Sequence, residues 1–368
     1  RSDAWPDRQG RLGEPMLLRE GASHYEPVSW DEAFEILGGE LRGLDSPHEA
    51  AFYTSGRASN EAAFLYQLVA RAFGTNNLPD CSNMCHESSG TALKAAIGVG
   101  KGTVTLEDFQ EAEVILCVGQ NPGTNHPRML STLEAAVGKG ARVVAVNPLQ
   151  EAGLMGFAHP QKASGLLGKA TPLASAFLQV RVNGDLALFR GLAKCLSADA
   201  KFVGAETRGY EEYRRLVEET SWVDIERLSG VPRSEIEAVA EWIGAGRRRL
   251  ITCWAMGLTQ HRNSVDTIRE IANLHLMLGA VGRPGAGLCP VRGHSNVQGD
   301  RTMGIWEAMP EEFLAALDRQ AAIRSPRETG LDTVGTLFAM HEERVKVFVA
   351  LGGNFAQATP DTAFTEEA

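Results

Sequence analysis

Val114-Ile115-Leu116-Cys117-Val118-Gly119-Gln120-Asn121-Pro122-Gly123-Thr124-Asn125, followed by Arg142-Val143-Val144-Ala145-Val146, is the stretch whose reading decides the fold. The first five residues form an unbroken apolar run of strand length. A polar, glycine-containing loop follows, and Pro127 suits the first turn of a helix running to about Val137. Gly138-Lys139-Gly140 stops that helix, and the second run opens another strand. This is a βαβ unit, and its spacing predicts a parallel sheet.

The same alternation extends outward. Upstream, Ser29 is an N-cap before Ala33, Ile36, Leu37 and Leu41 at helical spacing. Ala51-Phe52-Tyr53-Thr54 reads as a strand, a helix runs through Phe64, Leu68 and Ala72, and Gly74-Thr75-Asn76-Asn77 breaks it. Downstream, Phe177–Val182 is strand-like and Asp185 is positioned to cap a helix through Leu196. Ser234 caps another through Trp242. Leu250–Trp254 is a strand, Met256–Gln260 a loop, and Val265–Leu278 a helix ending at Gly279. Val345–Ala350 is a late strand before Leu351-Gly352-Gly353-Asn354. Such a pattern predicts an α/β, doubly wound fold with mostly parallel sheets and ligands beyond the carboxyl ends of the strands. Gly153–Ala176 and Gly282–Gly304 read as irregular, and a long irregular loop in a compact domain is usually functional or disordered.

The chain has 368 residues, 43% apolar, enough for about two domains. Its net charge of −10 argues against a nucleic-acid binder, and Arg247-Arg248-Arg249 reads as a solvated lead-in to the next strand. No apolar run approaches a membrane span. The start lacks a methionine and a signal-peptide core, and both ends read as cuts within a longer protein. The six cysteines, Cys81, Cys85, Cys117, Cys195, Cys253 and Cys289, contain no CxxC pair, so the residues alone predict neither a zinc nor an iron–sulfur site.

Three groups of residues could carry chemistry. Gly119-Gln120-Asn121, Asn147-Pro148-Leu149, Asn183-Gly184-Asp185, Ala255-Met256-Gly257 and Gly352-Gly353-Asn354 sit at strand ends, where glycine lets backbone N–H groups approach a phosphate and amide edges can read a purine or pterin. Ordinary βα turns look the same, although no GxGxxG fingerprint follows any strand. Cys85-His86 precedes small residues that open a helix, where a thiolate is stabilised and can ligate a soft metal; on residue types alone, a buried structural thiol beside a surface His is the better reading. Arg292, in Pro290-Val291-Arg292-Gly293, can aim its fork at a carboxylate, or form a structural salt bridge.

Together these motifs resemble the molybdopterin oxidoreductases that include the formate dehydrogenase catalytic subunit. Cys85-His86 is similar to that family's metal-ligand Cys followed by His. Pro290-Val291-Arg292-Gly293 with Asn296-Val297-Gln298-Gly299 resembles its substrate-arginine loop. Gly119-Gln120-Asn121-Pro122 with His126-Pro127 resembles a pterin-nucleotide loop, and Gly74-Thr75-Asn76-Asn77 the approach to the metal loop. Asn147-Pro148-Leu149, where formate dehydrogenases more often carry Asp-Pro-Arg, resembles a formate-dehydrogenase-like branch, some members of which are linked to acid resistance.

The resemblance implies two Rossmann-like domains of the formate dehydrogenase/DMSO reductase type. Residues 1–26 would end an N-terminal domain, 27–80 with 293–368 would form one α/β domain, and 81–292 an inserted one. It implies molybdenum or tungsten bound by two molybdopterin guanine dinucleotides, with Cys85 as metal ligand. Thr124 and Gln260 join the strand-end residues as cofactor contacts. Arg292 would pair with formate or a similar small substrate, and His86 would accept or relay a proton. An iron–sulfur cluster would lie in a segment before Arg1, leading to an electron-transfer partner, in a cytoplasmic protein. The rival readings are a non-catalytic, acid-stress-related protein that keeps the fold, and a nitrate-type oxoanion reductase.

Overall fold

The computed structural model describes residues 10–245 and 249–368. Residues 1–9, part of the expected N-terminal segment, and Arg247-Arg248 of the basic run lie outside the described residues. The chain separates into two compact units: residues up to Asn83 with Asn296–Ala368, and Met84–Ser295. The sequence reading drew its boundaries at 80/81 and 292/293, and it set residues 1–26 apart.

The unit 84–295 is built on a five-stranded parallel sheet in the order Gly287–Pro290, Leu250–Trp254, Val114–Val118, Arg142–Val146, Ala174–Leu178. The βαβ reading is observed, with a helix over Pro127–Gly138 between its strands. Alternate residues of each strand feed different cores. Val114, Leu116, Val118, Val144 and Leu250 pack with helical residues such as Leu93, Leu188 and Ile271. Ile115, Cys117, Val143, Ala145 and Ile251 pack with Leu130 and Leu133. Burial on both faces is why these strands are continuous apolar runs rather than alternating ones. Each fully buried aliphatic contributes about 1.5–3 kcal/mol, so a charge at Leu116, 1% exposed, would break the sheet from its centre.

The order reverses at Val114–Val118. Successive strands run to one side of it, then Leu250–Trp254 and Gly287–Pro290 to the other. A crevice opens beyond the carboxyl ends at such a reversal.

The other unit holds a parallel pair, Ala50–Thr54 with Val347–Leu351, packed by helices that include Asn60–Phe73. Ser29 caps the helix Trp30–Arg42 as expected, its hydroxyl accepting from Glu32 N–H at 3.1 Å. No helix among the described residues is long and apolar enough to cross a membrane.

Several local expectations need correction. The expected strand at Phe177–Val182 lies at Ala174–Leu178. Gly184, not Asp185, is the N-cap of Asp185–Cys195. Ser234 lies inside the helix Arg233–Ala245. The expected loop at Met256 is a helical turn, Met256–Thr259. Part of the glycine-rich stretch 282–304 is ordered as the edge strand Gly287–Pro290 and the helix Val297–Thr302.

Candidate cofactor and substrate site

The crevice at the strand reversal is a cavity of about 350 Å³. The loop after Val114–Val118 and the turn after Leu250–Trp254 form its closest walls. Gly119 has φ +56°, and Gly257 N–H donates to Gly119 O at 3.2 Å. A Cβ on Gly257 would fall 2.4 Å from that oxygen, so these two backbones approach as closely as they do only because residue 257 is glycine.

Of the expected cofactor residues, Gly119, Gln120, Asn121, Asn147, Asp185 and Gly257 line this cavity. Asn147 Nδ2 donates to Gln120 O at 3.0 Å, tying two strand ends together. Gln120 is 2% exposed and its Nε2 contacts Met129 Sδ at 3.1 Å, while its Oε1 has no hydrogen-bond partner among the described residues. A buried acceptor without a partner costs about 1–3 kcal/mol, and a ligand donor in the cavity would relieve that cost. Asn121 caps the short helix Pro122–Asn125 through Thr124 N–H and donates to Glu151 Oε2 at 2.6 Å. Burial raises the Asp185 carboxyl to about 6, against the opposing charge of His261.

The sequence reading missed Glu151 and His261, and it placed Asn125 and Asn183 in strand-end loops without making them cofactor contacts; all four also line the cavity. Asn183 carried one signal, an Asn before Gly in a tight turn, and it has φ +66°. Thr124, Gly184, Met256 and Gln260 do not line it. Gln260 Nε2 instead donates to Met84 O at 2.9 Å. Gly353 and Asn354 belong to the other unit, at the carboxyl end of its parallel pair. There Gly352 and Gly353 have φ +66° and +119°, and a Cβ on Gly353 would lie 3.1 Å from Ser55 Cβ. Ser55, not singled out in the sequence, is 3% exposed with no hydroxyl partner among the described residues.

Cys85, His86 and Arg292 lie in the unit 84–295. Cys85 is buried, and its carbonyl accepts from Thr259 Oγ1 at 2.6 Å. His86 is 1% exposed. Its Nε2 lies 3.0 Å from Val291 O, and its Nδ1 lies 2.9 Å from Ser89 Oγ. A carbonyl only accepts, so Nε2 carries the proton and Nδ1 accepts from the Ser89 hydroxyl. Trp254 Nε1 in turn donates to Ser89 Oγ at 3.0 Å. Burial, then the Arg292 charge, pushes His86 down to about 3. With both nitrogens engaged, the neutral ring as placed offers no lone pair to a substrate proton, which is at odds with the proton-accepting role expected of it.

The Val291–Arg292 backbone is held from several sides. Val291 N–H donates to Trp254 O at 2.8 Å. His126 Nε2 donates to Arg292 O at 3.1 Å, which fixes that ring's proton in the same way. Among the described residues no group of three or more His, Cys, Asp or Glu could hold a metal ion.

The sequence profile of the molybdopterin oxidoreductases matches residues 11–368. An uncharacterized oxidoreductase of Mycobacterium tuberculosis is 55% identical over 99% of this chain and 48% of its own length. Protein YdeP of Escherichia coli is 46% identical over 97% of this chain and 49% of its own length. The alpha subunit of F420-dependent formate dehydrogenase 1 of Methanococcus maripaludis is 28% identical over 98% of the chain and 52% of its own. The chain thus spans about half the length of the curated relatives it matches. The acetylene hydratase of Pelobacter acetylenicus shares the fold with a TM-score of 0.70 at 18% identity, over 94% of this chain and 49% of that structure.

Proposed function

We propose that this chain, which belongs to the molybdopterin oxidoreductase family, carries the substrate-facing half of a formate dehydrogenase-like active site. Cys85 is the protein ligand to molybdenum or tungsten, a thiolate suited to a soft metal site. One molybdopterin guanine dinucleotide lies in the cavity of the unit 84–295, where Gln120 Oε1, Asn147 and Asp185 accept from its N–H and O–H groups. Gly119 and Gly257, packed on each other, shape the near wall against which it lies. Gly353, Asn354 and Ser55 hold part of a second. When bound, the pterin-held metal supplies the two-electron chemistry.

Arg292 pairs with the carboxylate of formate or a similar small acid and orients it. The observation that carries this reading is the bond from His86 Nε2 to Val291 O, which joins the neighbours of Cys85 and Arg292 across 205 residues of sequence. The electron partner, an iron–sulfur cluster and a cytoplasmic location belong to the same proposal.

Metal and pterin analysis of the full-length protein, followed by a viologen-linked formate assay, tests it. Arg292→Ala is expected to lower kcat/KM for formate by at least about 100-fold with metal content intact. A full-length protein that holds neither metal nor pterin overturns the cofactor reading. Formate kinetics unchanged by Arg292→Ala overturn the substrate reading.

A further inference from the structure

We infer that His86 and His126 are positioning residues: a two-histidine clamp that fixes the Val291–Arg292 peptide through its two successive carbonyls. The inference rests on Arg292 being the substrate-pairing residue, and it departs from assigning His86 the substrate's proton.

The hydrogen-bond directions run one way. Trp254 Nε1–H donates to Ser89 Oγ, the Ser89 hydroxyl donates to His86 Nδ1, and His86 Nε2–H donates to Val291 O. An indole only donates and a carbonyl only accepts, so neither end can be reversed. The chain therefore holds one tautomer and one ring orientation. His126 does the same for the next carbonyl, donating to Arg292 O. The Val291 N–H is anchored to Trp254 O. Trp254 thus holds the peptide directly from its backbone and, through Ser89 and His86, from its side chain.

This matters because the Arg292 side chain starts from this peptide, and its Nη2 donates to Gly100 O at 3.5 Å. With Val291 N–H, Val291 O and Arg292 O all bonded, the base from which the guanidinium reaches is fixed. A guanidinium on a loose peptide still meets a carboxylate but loses the geometry of a two-point pairing. Misplacement would weaken substrate capture before it slowed turnover.

The experiment uses the full-length protein and two readouts. Hydrogen exchange is measured on peptides covering 288–296, and steady-state formate kinetics run in parallel. Ser89→Ala, at a position that touches neither metal nor substrate, is expected to speed exchange in this segment about tenfold. It should raise KM several-fold and leave kcat within about twofold. His86→Leu and His126→Leu should do the same more strongly, and His86→Gln, which keeps an N–H donor, should restore much of the protection. Exchange unchanged in both Ser89→Ala and His86→Leu overturns the clamp whatever the substrate is. A kcat loss in His86→Gln with KM and exchange unchanged also overturns it, in favour of a proton-transfer role. A wild-type protein that does not oxidise formate sinks the substrate reading alone and leaves the exchange data to decide the clamp.

Discussion

Two histidines in the unit 84–295 are bonded alike and do different work. His275 sits near the end of the helix Ser264–Leu278, fully buried. Its Nε2 accepts from Thr252 Oγ1 at 2.8 Å and its Nδ1 donates to Ala280 O at 3.1 Å. His86 uses the same pair of partners, a hydroxyl and a carbonyl, through the opposite nitrogens. His275 reaches five residues along its own chain and closes the helix end at Gly279, which has φ +62°. His86 reaches 205 residues to the loop that carries Arg292. A buried, doubly bonded imidazole is therefore no mark of function by itself; what it tethers decides.

The sharpest way to break this comparison is pH. Burial lowers His275 to about 4 from its ordinary 6.5. Its neutral form is favoured in the folded state, so the stability it contributes is present above pH 6.5 and is lost as pH falls toward 4. The full loss is on the order of 3 kcal/mol. His275→Phe should cost about 1–3 kcal/mol at pH 7.5, because Ala280 O and the Thr252 hydroxyl lose their partner. That gap should close as pH falls from 6.5 to 4 in a urea-unfolding series. A gap constant with pH would contradict the burial argument.

Asp185 supplies the opposite sign. Its carboxyl is raised to about 6, so its favourable contribution is present below the unfolded value of about 4 and is lost as pH rises through 6. Asp185→Asn should be more stable than wild type at pH 7, by up to about 3 kcal/mol, and the difference should vanish near pH 4. Equal stabilities at pH 7 would show that the cavity already neutralises that charge.

The smallest effect separates the two histidines most cleanly. Thr252→Val should cost about 1 kcal/mol and leave exchange at 288–296 and formate KM unchanged. A KM shift as large as that of Ser89→Ala would mean that the core histidine also steers the loop.

Much of the central sheet was legible because its strands are buried on both faces. Val114–Val118 and Arg142–Val146 carry no polar interruption except an edge Arg. Gly287–Pro290 was not legible: it is a four-residue edge strand that begins and ends in residues with poor strand propensity. The short helix Ala200–Glu206 and the charge-rich helices Tyr210–Glu219 and Trp222–Ser229 went unread, since they bury few apolar side chains. At the site, strand-end residues such as Gln120 and Asn147 could be read because the fold class dictates where strands end. Glu151 and His261 could not, because they come to the cavity from neighbouring turns. Ser89 looked like helix filler. Its role exists only once Trp254 and His86 meet it, and no local pattern encodes that meeting.

The strand reversal at Val114–Val118 also has a consequence in time. Ribosomes make roughly 5–20 residues per second. The Thr259 hydroxyl that holds the Cys85 carbonyl lies 174 residues downstream, so it emerges roughly 10–35 s after Cys85 does. Gly257, the near wall of the cavity, is made in the same late window. A nascent chain thus displays the Cys85 thiol before Thr259 exists to hold the Cys85 carbonyl. The buried setting of Cys85 is therefore completed only late in synthesis, and until then its thiol is open to oxidation.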